Sequence, residues 1–203
     1  MATIGIIGSG MLGSALAETL TRAGHSVIIA NSRGPQSLAD LTAAIGANAA
    51  GGSLEQAASH DIVIYASRWV NREEILGAFP SWGRRIFVDA SNHYLTHAPD
   101  FIKDDLGGET SSEIMSRLVP GARVVKAFNS VFSGTLRAGG TVEAGRRVLF
   151  MSGDDADAKA TVGSLIADIG FHAMDLGSLR DGGRMQQLGS PIVGMSVDLV
   201  QVG

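Results

Sequence analysis

The sequence contains no cysteine, few charged residues and no apolar run long enough to cross a bilayer. Without cysteine, disulfides and thiolate metal sites are excluded, and we predict that no metal is bound. A formal net charge of −4 argues against a general nucleic-acid surface. The first residues lead directly into an apolar strand and do not resemble a signal peptide. We therefore expect a soluble, cytoplasmic protein without nucleic-acid or membrane partners.

Length and residue pattern indicate a single α/β domain. Of the 203 residues, 45% are hydrophobic and 18% are charged, which suits a parallel sheet buried on both faces. Apolar segments with strand character alternate with helical patterns along the chain, and there are no repeats or low-complexity linkers. We predict a doubly wound, mostly parallel sheet. The mostly apolar tail from Gly183 to Val202 is predicted to be helical.

The segment Ile4-Gly5-Ile6-Ile7-Gly8-Ser9-Gly10-Met11-Leu12-Gly13 is typical of a strand, a glycine turn and the start of a helix. Gly8 allows a sharp turn, Gly10 lets a pyrophosphate approach the backbone, and Gly13 lets the helix pack closely. Unpaired N–H groups near Met11 and the helix dipole favour an anion there. Because an apolar strand precedes the glycines and a periodic helix follows them, we predict a dinucleotide site rather than ordinary turn glycines.

The end of the second predicted strand, Val27-Ile28-Ile29-Ala30, lacks the acidic residue expected of an NAD site. Such an acid normally lies roughly 20 residues beyond the glycines and binds the ribose 2′-hydroxyl. Here the strand is followed by Asn31, Ser32 and Arg33, and a hydroxyl with a guanidinium suits a 2′-phosphate. We therefore predict NADP(H) in preference to NAD(H). The alternative is that Arg33 is an ordinary surface charge.

Three further loops should border the reactive end of the dinucleotide, because ligands of such sheets lie beyond the carboxyl ends of the strands. They are Ala66-Ser67-Arg68-Trp69, Asp89-Ala90-Ser91-Asn92 and Ala127-Phe128-Asn129-Ser130. Their small residues leave room for flat rings, and Ser67, Asn92 and Asn129 can bond a carboxamide or a carbonyl. A local cap or turn bond is the alternative for each of these three residues. For Trp69, packing is favoured over stacking on a ligand.

Three titratable side chains follow the second of these loops, namely His93, Tyr94 and His97. A carbonyl or imine substrate needs a proton donor as well as a hydride, and His93 is the first candidate for that role. A flat, flavin-like acceptor needs no dedicated acid, because the cofactor carries the chemistry. No pair of carboxylates has the spacing of a hydrolytic site, and we assign no other catalytic side chain.

Basic residues near the predicted mouth of the site can meet an anionic part of an acceptor. Arg68 and Arg72 are one helical turn apart and can share a face, and Lys126 lies late in a strand. The alternative for the two arginines is an ordinary surface charge, and the alternative for Lys126 is that it reaches toward the sheet edge or a neighbouring loop. Asp104 and Asp105 are predicted to lie in a solvated loop.

Four segments together carry a resemblance to a known family: the glycine motif, Asn31-Ser32-Arg33, Lys126-Ala127-Phe128-Asn129 and Phe150-Met151-Ser152-Gly153-Asp154-Asp155. In these segments the sequence resembles the NADPH-dependent coenzyme F420 reductases, a group that includes the related dinucleotide-binding domains of membrane ferric reductases. The resemblance implies a single Rossmann-like domain over residues 1–203. Its dinucleotide-binding core would cover about 1–151, and a small C-terminal extension, about 152–203, would complete the acceptor pocket.

The resemblance also implies hydride exchange between NADP(H) and a flavin or a deazaflavin such as coenzyme F420. By position it implies a pyrophosphate over Ser9–Leu12, a 2′-phosphate at Ser32 and Arg33, and a nicotinamide near the three carboxyl-end loops. The predicted cofactor-binding residues are Gly8, Ser9, Gly10, Met11, Leu12, Gly13, Asn31, Ser32, Arg33, Ala66, Ser67, Arg68, Ala90, Asn92, Ala127 and Asn129. Family members often form homodimers, so a homodimer is expected.

The identity of the hydride acceptor stays open at this point. The loops at Ser67–Trp69 and Asn92–His97 lack prolines that those reductases usually keep beside the acceptor. The first hypothesis is an NADPH-dependent flavin or deazaflavin reductase, and the second is an NADPH-binding regulator or sensor without turnover. The third is a reductase of a small imine or carbonyl compound. It is ranked last because relatives with that chemistry generally add a large helical domain.

Overall fold

The computed structural model describes residues 1–143, 145–193 and 198–200. The strands in these ranges are β1 (Thr3–Ile7), β2 (Ser26–Ala30), β3 (Ala49–Gly51), β4 (Ile62–Tyr65), β5 (Ile86–Asp89), β6 (Arg123–Ala127), β7 (Thr141–Val142), β8 (Gly145–Gly153), β9 (His172–Asp175) and β10 (Asp198–Val200). The helices are α1 (Met11–Arg22), α2 (Ala39–Ile45), α3 (Leu54–Ala58), α4 (Arg72–Gly77), α5 (Ser111–Leu118), α6 (Ser133–Ala138), α7 (Ala156–Asp168) and α8 (Asp181–Met185), with 3₁₀ turns at Pro35–Leu38 and Trp69–Asn71.

The described strands form one sheet in the order β3-β2-β1-β4-β5-β6-β8-β10, with β7 and β9 also paired to β8. Strands β1 to β6 pair with one another in parallel. Strand β8 is antiparallel to β6 and parallel to β9. The predicted α/β fold with a doubly wound, mostly parallel sheet is thus confirmed. The order changes direction between β1 and β4, and this switch point is where such sheets bind ligands.

The sheet is apolar on both faces because successive strand residues pack into different clusters. In β4, Ile64 belongs to a cluster with helices α1 and α7, whereas Val63 and Tyr65 belong to a cluster with Trp82 and Phe87. These side chains are all fully buried or nearly so. The strand ends beside the switch point are therefore held by packing on both sides, and the loops that follow them start from fixed positions.

The predicted helix from Gly183 to Val202 is wrong. Helix α8 ends at Met185, and Asp198–Val200 forms β10, which pairs antiparallel with β8. Gly189 has a φ of +92° and Pro191 follows it, so a helix cannot continue through this point. Positions 194–197 and 201–202 of the predicted helix lie outside the described residues.

The strands after residue 151, β9 and β10, belong to the same sheet as those before it. The predicted division at about 151 falls within β8, which pairs with β6 through Met151–Gly153 and with β9 through Val148–Met151. Whether the segment from 152 onward completes an acceptor pocket stays a prediction. Strands β3 and β7 and helix α6 were not expected from the sequence, because each is too short to show a period.

Candidate cofactor site

The turn between β1 and α1 uses three glycines in different ways. Gly8 has a φ of +118°, and a Cβ on it would lie 2.4 Å from the Ala66 carbonyl oxygen. A Cβ on Gly13 would lie 1.9 Å from the Gly8 carbonyl oxygen. A Cβ on Gly10, by contrast, would meet no protein atom within 4 Å. Gly8 and Gly13 are therefore required by the fold, whereas Gly10 leaves the backbone open to a ligand.

Helix α1 begins with its first N–H groups free of a side-chain cap, as far as the described residues show. Gly10 takes the N-cap position in an extended conformation, and no acidic residue lies in the first turn. The hydroxyl of Ser14 is turned away from these groups and donates to the Gly10 carbonyl at 2.7 Å. The N–H groups of Met11 and Leu12 thus keep their partial positive charge, and they suit a diphosphate.

The loop after β2 is fastened to the glycine turn by Asn31. Its side-chain nitrogen donates to Ser9 Oγ at 2.9 Å and to Ser37 Oγ at 3.1 Å. Its side-chain oxygen accepts from the Arg33 N–H at 2.8 Å, which forms an Asx turn. Ser32 and Arg33 are exposed, and within the described ranges no carboxylate pairs with the Arg33 guanidinium. This arrangement leaves a hydroxyl and a cation available for a phosphate.

A cleft of about 440 Å³ opens beside the start of α1, at the carboxyl edge of the sheet. Its volume lies in the usual range for small-molecule sites. The cleft is lined by Gly10, Met11, Leu12, Ala66, Ser67, Arg68, Trp69, Ala90, Ser91, Asn92, Tyr94 and His97. The fold therefore brings the glycine turn together with two of the three predicted loops. Asn31–Arg33 and the third loop, at Ala127–Ser130, are not among the lining residues.

The third loop is held in a buried polar network. Asn129 Nδ2 donates to Asn92 Oδ1 at 3.0 Å and to the Gln186 carbonyl at 2.7 Å. Asn92 Nδ2 returns a bond to the Asn129 carbonyl at 2.9 Å, and Gln186 Nε2 donates to Asn129 Oδ1 at 3.2 Å. Ala127 is fully buried. The network gives Asn129 a structural role, and the predicted contacts of Ala127 and Asn129 with nicotinamide stay predictions.

Trp69 is a packing residue, as favoured from the sequence. It is fully buried, and its Nε1 donates to Asp104 Oδ2 at 2.7 Å. The Arg72 guanidinium lies over its ring, 4.0 Å from the ring centroid. The idea that Arg72 shares an open face with Arg68 is therefore wrong, because its guanidinium is turned onto Trp69. Asp104 and Asp105 lie in a largely exposed loop, as predicted, although Asp104 is half-buried and its carboxylate accepts the indole N–H.

His93 does not line the cleft, although Tyr94 and His97 do. It is 4% exposed, packs edge-on against Trp69, and its Nδ1 is buried without a hydrogen-bond partner in the described structure. Burial, followed by the positive charges of Lys126 and Lys103, lowers the pKa of its imidazole. An enclosed, neutral imidazole away from the cleft is a poor proton donor, so these features argue against the predicted catalytic role.

Sequence reasoning missed a buried ion pair directly behind the cleft. Lys126 is 1% exposed, and its Nζ lies 3.0 Å from Asp89 Oδ2. The two residues are register partners at the ends of β5 and β6. The idea that Lys126 meets an anionic acceptor is therefore wrong, because the ammonium is enclosed. The alternative of a contact with a neighbouring loop is confirmed, since Nζ donates to the Ser91 carbonyl at 3.2 Å. The sequence did contain a signal for this ion pair, since two neighbouring apolar strands each carry one charged residue near their end.

Comparison with known proteins agrees with this geometry. Residues 3–93 match the family model for NADP oxidoreductase, coenzyme F420-dependent. Metalloreductase STEAP3 of Rattus norvegicus is 32% identical over 183 residues, which are 87% of this chain and 34% of that protein. Metalloreductase STEAP2 of Homo sapiens is 27% identical over 201 residues, 92% of this chain and 35% of that protein. The chain thus spans about a third of the length of these relatives. Across the described residues, no helix is both long and apolar enough to cross a membrane.

Solved structures share the whole fold. A hypothetical protein from Sinorhizobium meliloti is 45% identical with a TM-score of 0.92, over 98% of this chain and 96% of that one. A putative F420-dependent NADP-reductase from Arthrobacter sp. FB24 is 24% identical with a TM-score of 0.79, over 92% and 90% of the two chains. At that identity the likeness shows the fold alone. The family match supports NADP(H) binding and leaves the acceptor undetermined.

Proposed function

We propose, from the premise that this chain belongs to the coenzyme F420-dependent NADP oxidoreductase family, that it catalyses hydride transfer between NADP(H) and a flat flavin-like or deazaflavin acceptor. The observation that carries the proposal is the cleft beside Gly10, which joins a free helix N-terminus to Ala66–Arg68 and Ala90–Asn92. The open space where a Gly10 Cβ would stand fits a diphosphate held against the backbone. When bound, NADP(H) supplies the hydride.

The residues of this chain bind and orient the reactants. Backbone N–H groups of Ser9–Leu12 would hold the pyrophosphate, and Ser32 with Arg33 would hold the 2′-phosphate. Ala66 and Ala90 keep the cleft wall flat for a ring, and the buried Trp69 closes it against water. No side chain is assigned as an acid, since a reduced deazaflavin can take its proton from solvent.

Arg68 would supply a positive charge where the acceptor binds. It is exposed at the rim of the cleft, and Tyr94 and His97 line the cleft with it. We propose that Arg68 binds the anionic part of the acceptor. The other two candidates already have partners, because Arg72 stacks on Trp69 and Lys126 is paired with Asp89. The expected homodimer is part of the proposal, and light scattering on the purified protein measures the mass that decides it.

An acceptor panel tests the proposed reaction. Purified protein is mixed with NADPH and, in separate reactions, FMN, FAD, coenzyme F420, a quinone and small imines, and loss of NADPH absorbance is followed. Rapid oxidation with a flavin-like compound, and slower oxidation when NADH replaces NADPH, is the expected result. Tight NADPH binding without oxidation by any member of the panel would favour a sensor and overturn the proposal. Oxidation by imines alone would move the reaction to the imine reductase class.

A further inference from the structure

A closed polar cluster lies behind the cleft, at the ends of β5 and β6. The Asp89 carboxylate accepts from the Ser91 N–H at 3.0 Å and from the Ser91 hydroxyl at 2.6 Å. It also accepts from the Ser112 hydroxyl at 2.8 Å and from Lys126 Nζ at 3.0 Å. Lys126 Nζ donates further to the Ser91 carbonyl at 3.2 Å and to the Ser111 hydroxyl at 3.1 Å. The ammonium and both carboxylate oxygens are thus fully paired.

The cluster holds Ser91 through three of its polar groups, and Ser91 belongs to the cleft loop, Ala90–Asn92. The N–H, the hydroxyl and the carbonyl of Ser91 are all bonded to Asp89 or Lys126. Ser91 lies between Ala90 and Asn92, and these three residues line the cleft together. The other contacts of the pair, Ser111 and Ser112, lie in the first turn of α5 and do not line it. The Asp89–Lys126 pair therefore connects the cleft loop to the start of α5.

Stability alone does not require this pair. Replacing a buried ion pair by apolar side chains of similar volume is often neutral or stabilising, because burial removes both charges from water. An apolar pair, however, has no donor or acceptor for the Ser91 backbone. The adjoining backbone is constrained as well, since Phe128, two residues beyond Lys126, has a φ of +65°. Such a conformation persists in a non-glycine residue when its surroundings determine it strongly.

We propose that Lys126 and Asp89 are positioning residues of the cofactor site. They clamp Ala90–Asn92 so that the nicotinamide end of the dinucleotide meets a preformed wall. The adenosine end, held by the glycine turn and the loop at Asn31–Arg33, does not depend on the clamp. This inference rests on the proposed function. It requires that loss of the pair weakens binding of the whole dinucleotide and leaves binding of its adenosine half intact.

The test compares two ligands on one variant. Calorimetric titrations measure the dissociation constants of NADPH and of 2′,5′-ADP, which carries the 2′-phosphate but no nicotinamide. In the double variant Asp89→Leu/Lys126→Met, NADPH binding should weaken on the order of tenfold, whereas 2′,5′-ADP binding should change by less than about twofold. Equal changes for the two ligands, or no change for either, would overturn the proposal. The ratio of the two constants is a readout that a loss of stability alone does not move.

A matched pair of serine variants covers the case in which the double variant does not fold. Ser91→Ala and Ser112→Ala each remove one hydroxyl from the same Asp89 carboxylate, on the cleft loop and on α5 respectively. Selective loss of NADPH affinity in Ser91→Ala, with Ser112→Ala like wild type, supports the clamp, and equal affinities in the two variants contradict it. Wild-type protein that binds neither ligand would instead overturn the proposed function and the clamp with it.

Discussion

Asn31 Nδ2 donates to Ser9 Oγ at 2.9 Å, and this bond joins the loop assigned to the diphosphate of the cofactor to the loop assigned to its 2′-phosphate. Ser9 belongs to the glycine turn, and the Asn31 side-chain oxygen also fixes the backbone of Arg33. The spacing of the two anion sites is therefore set by a neutral amide. A carboxylate in its place would offset part of the charge that Arg33 presents to a 2′-phosphate.

Asn31→Ala should weaken NADPH binding while leaving the fold intact. The variant loses the bonds to Ser9 and to the Arg33 N–H, and a typical hydrogen bond contributes about 0.5–1.5 kcal/mol. We expect a loss of roughly 1–2 kcal/mol in the binding free energy, measured by titration calorimetry. Ser37→Ala is the control, since it removes both contacts between Asn31 and Ser37 Oγ and keeps the link to Ser9. NADPH binding of wild-type strength in Asn31→Ala would show that the link is dispensable.

Arg33→Ala should separate the two dinucleotides. Loss of a charged hydrogen bond to the 2′-phosphate should weaken NADPH by on the order of 1.5–3 kcal/mol and leave NADH unchanged. Arg84→Ala makes the same charge change at an exposed position just before β5, at the opposite edge of the sheet, and should alter neither ligand. Titration of both dinucleotides against both variants decides the matter. Equal weakening of NADPH and NADH in Arg33→Ala would exclude the 2′-phosphate role.

Gly10→Val and Gly13→Ala should fail in different ways. A Cβ on Gly10 meets no protein atom within 4 Å, so the Gly10→Val variant should fold and lose binding of both NADPH and NADH. A Cβ on Gly13 would lie 1.9 Å from the Gly8 carbonyl oxygen, so Gly13→Ala should lower the Tm. Overpacking of this kind typically costs about 1–3 kcal/mol. Thermal unfolding and dinucleotide titration separate the two effects. A Gly10→Val protein that still bound NADPH normally would place the pyrophosphate elsewhere.

His93 should make the protein less stable in mild acid. Its pKa in the folded protein is lowered by burial, so the unfolded chain takes up the proton first as the pH falls. Above the ordinary histidine pKa of about 6.5, His93 is neutral in both states and does not lower the free energy of unfolding. Below that pH the free energy of unfolding falls, by at most about 1.4 kcal/mol per pH unit for this one group. Urea unfolding of wild type and His93→Phe between about pH 7 and 5 should give a flatter profile for the variant. Parallel profiles would mean that His93 titrates alike in both states.

Local pattern was sufficient for the strand, glycine turn and helix with which the fold begins. The apolar strand Thr3–Ile7, the three glycines and the periodic helix after them are encoded within a short segment, and the structure reproduces them. The C-terminal tail was predicted wrongly, because the pairing of Asp198–Val200 with β8 depends on a partner far away in sequence. Gly189 and Pro191 marked the end of any helix there, and they were visible from the start.

The same distinction holds for the site, where features set by local sequence were predictable and contacts between distant residues were not. The sequence alone identified the lining residues near Gly10, because strand ends and glycine turns are read locally. It could not show that Arg72 stacks on Trp69 or that Lys126 is enclosed with Asp89, since these partners meet only in the folded chain. A charged residue near the end of an apolar strand indicates that it is buried with an oppositely charged partner, but the identity of that partner depends on the order of the strands in the sheet.

A crystal structure of the protein with NADPH tests the central claim most directly. We predict the diphosphate at the start of α1 over Gly10, the 2′-phosphate within hydrogen-bond distance of Arg33, and the nicotinamide in the cleft beside Ala66 and Ala90. An adenosine in the cleft beside Ala90, or a dinucleotide bound away from Gly10, would contradict it.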